Sequence, residues 1–222
     1  VAILGVEGGS VSARVASIGE QVLARMEAVN AARERALGES RQVVRLCANC
    51  IRAAHRGDVA AGQKLAAEAR DRLAALAGML REHPAIYWAG YVQDAQKEYV
   101  EAQVFLAWVG GLTVPAPDDL DVADAVYLNG LGEAASELRR FALDKLRGGD
   151  IAPAEWALAT MDDVYGLLVT VDYPDAVTNG LRRTTDMLRG VLERTRGDVT
   201  VTVRQQALER SLERAMRGPS NE

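Results

Sequence analysis

From about Ala16 to Arg217, apolar residues recur every three to four positions, the spacing that lays one apolar stripe along an α-helix. Glycine and proline punctuate the stripe and divide it into seven predicted helices. The first covers Ser17 to Arg56 and stops at Gly57-Asp58; the second covers Val59 to Glu82 and ends at "HPAIY". The third runs from Ala85 to Val109 and is closed by Gly110-Gly111, after which "GGLTVPAPDD" reads as an irregular connection with acidic N-cap candidates. A fourth helix over Asp121 to Arg147 ends in "RGGD", and a fifth, to Val169, opens at Pro153, a residue suited to a first turn. "VDYPD" precedes a sixth over Pro174 to Arg196, and "RGDVTVTV" precedes a seventh over Val203 to Arg217. The β-branched run Val199 to Val203 has strand propensity, but no second strand is available to pair with it, so it reads as extended linker or helix continuation. With no internal boundary or repeat, the expected organisation is a loose tail over 1–15, one helical domain over 16–217 and a short tail over 218–222.

Composition agrees with an all-α class: aromatic residues make up 5% and prolines number six, while alanine, leucine, arginine and glutamate dominate. The formal net charge of -5 does not advertise a nucleic-acid binder, so any such role must come from local patterning. Cys47 and Cys50 are the only cysteines and supply no disulfide framework, which fits a reducing, cytoplasmic setting. No run approaches the roughly 18 apolar residues of a membrane span, so no membrane partner is expected. Histidine is confined to His55 and His83, without the spacing of a zinc motif, a catalytic triad or a carboxylate-histidine di-iron bundle. Chemistry in this chain would have to rest on carboxylates.

Two patterns offer such chemistry. On the first helix Arg41, Arg45, Arg52 and Arg56 fall within about 60° of one another on a helical wheel, opposite Val43, Cys47, Cys50 and Ala54. Asn49 and His55 border that arginine stripe, which is either a solvated face or a surface that tracks phosphates. The CANC motif puts both sulfurs on the apolar face, where small buried thiols are the default over a metal or redox pair. On the third helix Glu98 and Glu101 line the margin of the packed face, joined by Asp94; on the fourth, Glu133 and Glu137 occupy the matching margin. If these two edges face each other, four glutamates gather around one point, where Mg²⁺ or Mn²⁺ would relieve their repulsion and could polarise a phosphodiester. If they do not, they are ordinary solvated carboxylates.

At these residues the sequence resembles the translin family, which comprises translin, translin-associated factor X and archaeal and bacterial relatives. The resemblance spans about Ser40 to Arg210 and is carried, in family order, by "SRQVVRLCANCIRAAHRG", "AIYWAGYVQDAQKEYVEAQVFL", "DVADAVYLNGLGEAASELRRFALDKLRGGD" and "YPDAVTNGLRRTTDMLRGVLERTRGDV". It implies a seven-helix subunit that assembles into a hollow homo-octamer, with single-stranded RNA, and in some members single-stranded DNA, against a basic inner surface. That surface would include Arg41, Arg45, Arg52 and Arg56. In the factor X branch, EYVEA carries two catalytic glutamates, which fall on Glu98 and Glu101; the later acidic pair falls on Glu133 and Glu137. The first of that later pair is typically Asp in the eukaryotic factor and is Glu here. Translin itself lacks most of this set, so the chain resembles the catalytic branch, a metal-dependent endoribonuclease using Mg²⁺ or Mn²⁺.

Overall fold

The computed structural model describes residues 8–217, and every regular element among them is a helix. In chain order these are α1 (Gly8–His55), α2 (Val59–Met79), α3 (Pro84–Tyr87), α4 (Gly90–Gly110), α5 (Pro117–Leu120), α6 (Asp124–Arg147), α7 (Ile151–Leu168), α8 (Asp175–Thr178) and α9 (Leu181–Arg217). The all-α class is the expected one, but the division differs from seven helices. Three single-turn helices, α3, α5 and α8, occupy the proline-marked connections. The predicted sixth and seventh helices form one element of 37 residues. The valine-threonine run stays helical because Val199 is buried, Val203 packs on the core, and the Thr200 and Thr202 hydroxyls donate to the carbonyls four residues back. Periodic burial here overrides strand propensity. At the other end, α1 takes in residues 8–15 of the expected tail, whereas 1–7 and 218–222 lie outside the described residues.

α4 is the centre of the packing. It buries Val92, Ala95, Tyr99, Val100, Ala102, Val104, Phe105 and Leu106, and it touches α1 and α2 on one side and α6 on the other. α6 in turn carries α7 and α9. The chain is therefore two helical layers, α1/α2/α4 and α6/α7/α9, joined along the α4–α6 seam. α4 stops at Gly111, whose φ of 64° is the left-handed conformation that glycine adopts at no steric cost. The α5 turn is capped by Asp119, whose carboxylate accepts from the Ala116 N–H at 2.8 Å. No helix among the described residues is long and apolar enough to cross a membrane.

Candidate metal centre

Close approach of α4 and α6 begins with a glycine. A Cβ at Gly130 would lie 2.6 Å from the Val100 Cβ and 2.8 Å from the Lys97 carbonyl oxygen, so the absence of a side chain lets the helices meet. Glu133 stands one turn further along α6, and Glu98 and Glu101 stand one turn apart on α4. Contact at Gly130 thus brings three carboxylates to one place: one oxygen from each of Glu98, Glu101 and Glu133 lies within 4.8 Å of the others.

The electrostatics follow from that crowding. Burial, then the charges of Glu98, Glu133 and Glu137, push Glu101 up to about 8. Burial and the Glu133 charge raise Glu98 as well. Glu133 has a counter-ion, since Lys97 Nζ donates to its Oε1 at 2.7 Å. Burial opposes the Lys97 charge, yet the Glu133 hydrogen bond and charge outweigh it and hold the ammonium above its ordinary value. From α1, the Cys47 thiol is pushed up by burial, then by Cys50 and by the Glu98 and Glu101 charges. Among the described residues, neither Glu98 nor Glu101 has a side-chain hydrogen bond or ion pair. Close, all-oxygen donors, two of the three without a partner among the described residues, fit a hard divalent cation.

The fourth glutamate is turned elsewhere. Glu137 Oε2 lies 2.7 Å from His55 Nε2, at the C-terminal end of α1, and the imidazole packs on Phe105 with ring centroids 4.6 Å apart. An ionised carboxylate only accepts, so Nε2 carries the hydrogen of this bond; Nδ1 is buried without a partner. Glu137 still contributes to the upward push on Glu101. The expected ring of four is thus a group of three with a braced neighbour. Sequence periodicity gave His55 no role beyond bordering the arginine stripe, because it lies on the flank of α1, about 100° from the packed Ala54, and Phe105 of α4 and Glu137 of α6 cover that flank from distant parts of the chain.

Arg41, Arg45, Arg52 and Arg56 are all exposed on the outer face of α1, with Val43, Cys47 and Cys50 fully buried opposite. None of the four has an ion-pair partner among the described residues; Arg52 donates to Asn49. Both thiols are free, and burial raises Cys50 to about 11, which suits packing rather than metal or redox chemistry.

Comparison with known proteins places this arrangement. No family model matches the chain. An uncharacterized protein of Methanocaldococcus jannaschii is 31% identical over 195 residues, covering 86% of this chain and 85% of that protein. The crystal structure of AfC3PO is 34% identical, covers 85% of this chain and 98% of its own, and superposes with a TM-score of 0.77. The same protein in complex with duplex RNA is 33% identical with a TM-score of 0.76, covering 85% of this chain and 97% of that one. The chain belongs to the translin family. Apo-NeC3PO, at 19% identity and a TM-score of 0.75 over 91% of this chain and 100% of its own, shares the translin fold. The two family segments read from the sequence, EYVEA and YLNGLGEAASELRR, face each other across the α4–α6 seam.

Proposed function

We propose that this translin-family chain is a metal-dependent endoribonuclease that binds RNA and hydrolyses its phosphodiester backbone. The observation that carries the reading is the group of Glu98, Glu101 and Glu133, whose carboxylate oxygens converge within 4.8 Å, two of them without a partner among the described residues. These residues would hold Mg²⁺ or Mn²⁺, with Glu137 alongside. A divalent cation held by these residues would supply Lewis-acid chemistry towards a phosphodiester and water. Burial and mutual repulsion push the Glu98 and Glu101 carboxyls upward, so a cation held between them would favour release of their protons and gain their full charge as ligands. His55 holds Glu137 in one orientation beside them. Arg41, Arg45, Arg52 and Arg56 supply a row of exposed guanidinium forks for backbone phosphates.

The likeness to AfC3PO, a protein solved with duplex RNA, supports RNA as the ligand, and single-stranded RNA is the substrate form that the resemblance to the translin family implies. A homo-octamer is the assembly we propose, supported by the apolar side chains that α1 leaves exposed. A second reading, a single-stranded RNA- or DNA-binding oligomer without cleavage, is favoured by one observation: the Lys97 ammonium already neutralises Glu133.

Incubation of end-labelled single-stranded RNA, duplex RNA and single-stranded DNA with Mg²⁺, Mn²⁺ or EDTA tests the proposal. RNA cleavage is expected with either metal, to vanish in EDTA, and to fall about 10²-fold or more in Glu98→Gln, Glu101→Gln and Glu133→Gln. Undiminished cleavage by these variants would remove the assigned site. Binding of RNA without cleavage under every condition would establish the second reading.

A further inference from the structure

Glu133 belongs to two environments at once. One faces the carboxylate group; the other is a cavity of about 580 Å³ between α4, α6 and the start of α9, lined in part by Asp94, Lys97, Asn129, Glu133, Arg183 and Thr184. That volume lies within the roughly 300 to 1,000 Å³ of small-ligand sites, so it is large enough for one nucleotide. The wall is rigid: Asn129 donates to the carbonyls of Ala125 and Thr178 and accepts from the Thr184 hydroxyl. Both N–H donors of Asn129 are therefore committed, and it offers none to a phosphate. Lys97 and Arg183 have donors to offer, because Arg183 is exposed and has no ion-pair partner among the described residues, and Lys97 is held only through Glu133. The first turn of α9, which forms one wall, contains no acidic residue, so its positive end is not cancelled locally.

The charges are balanced as they stand, Lys97 and Arg183 against Asp94 and Glu133. Commitment of the Glu133 carboxylate to a cation on its other side leaves two cations facing one carboxylate. We infer that this cavity seats the nucleotide next to the cleaved bond, with Arg183 and Lys97 gripping its phosphate, and that the grip is coupled through Glu133 to loading of the carboxylate group. The inference rests on the nuclease reading above and adds to it a place for the substrate. Coupling of this kind is reciprocal: a cation that strengthens RNA binding is itself bound more strongly when RNA is present.

The test is a fluorescence-anisotropy titration of the full chain with a phosphorothioate-linked oligoribonucleotide, with and without Mn²⁺, beside calorimetric titration of Mn²⁺ without RNA. Wild type is expected to bind the oligonucleotide about 5- to 10-fold more tightly with Mn²⁺ than in EDTA. Arg183→Gln is expected to lose that increment while binding Mn²⁺ as wild type does. Lys97→Met is expected to lose the increment and, with the competing ammonium gone, to bind Mn²⁺ several-fold more tightly, a change that a merely structural ion pair would not produce. Arg45→Gln, on the outer face of α1, is expected to weaken binding equally with and without Mn²⁺. Circular dichroism confirms that each variant is folded. An Arg183→Gln protein that keeps the full increment, or a wild type that shows none, overturns the inference, while EDTA-sensitive cleavage would leave the nuclease reading standing. A wild type that binds no Mn²⁺ removes both.

Discussion

Glu101 shows what position does to a single carboxyl. Its value of about 8 lies above the ordinary 4.5, so between those limits the folded, metal-free protein keeps a proton that the unfolded chain has released. Stability from that proton is fully present below 4.5 and drains away as pH rises through about 8. In EDTA, the Tm of wild type is therefore expected to fall relative to Glu101→Gln between pH 6 and 9, by several degrees. Added Mn²⁺ should close the gap at pH 8. A difference in Tm that is the same at every pH would show that the carboxyl is not perturbed. The placement of Glu98 and Glu101 at the margin of a packed face was legible from helical periodicity alone. The partners that decide their chemistry were not: Lys97 meets Glu133 across 36 residues and His55 meets Glu137 across 82, and a one-dimensional period carries no information about which helix arrives next.

Among the elements, the α4–α6 seam turns on Gly130. Glycine inside a helix costs about 1 kcal/mol relative to alanine, so Gly130→Ala would be stabilising if propensity were all that mattered. The added methyl instead meets Val100 and the Lys97 carbonyl below 3 Å, and the helices must part. We expect a net loss of about 1 to 3 kcal/mol, seen as a lower Tm, together with weaker Mn²⁺ binding as the carboxylates separate. Gly78→Ala on α2, where nothing lies within 4 Å of the new methyl, is the control and should be neutral or stabilising. Weakening by both substitutions alike, or by neither, would remove the seam argument. The continuity of α9 makes the same point about elements. Valine and threonine at Val199 to Val203 prefer strands, yet burial of Val199 on the core decides the conformation.

At the scale of the whole molecule, the N-terminal half of α1 is the feature without an intramolecular explanation. Val15, Ile18, Val22, Met26 and Val29 form a stripe at three- and four-residue spacing, all exposed, and from residue 12 onward the first buried residue of α1 is Ala32. An apolar stripe of this length costs free energy in water unless another surface covers it. Under the proposed octamer, the double variant Val22→Glu, Met26→Glu is expected to lower the mass measured by light scattering, towards that of the 23.9 kDa subunit. An unchanged mass would place the interface elsewhere.

Sequence by itself determined that the chain is all-α, where most helices break, which faces pack, and that two acidic margins repeat one geometry on separate helices. These are local properties, set by the period of the apolar residues and by glycine and proline at the breaks. Resemblance to the translin family extended the reading to the pairing of those margins. Only the tertiary structure decided that three glutamates converge while the fourth turns to His55, that Lys97 stands in as a counter-ion, and that a cavity opens behind Glu133. Each of those outcomes depends on the distance and rotation between helices far apart in the chain, which side-chain packing at positions such as Gly130 sets.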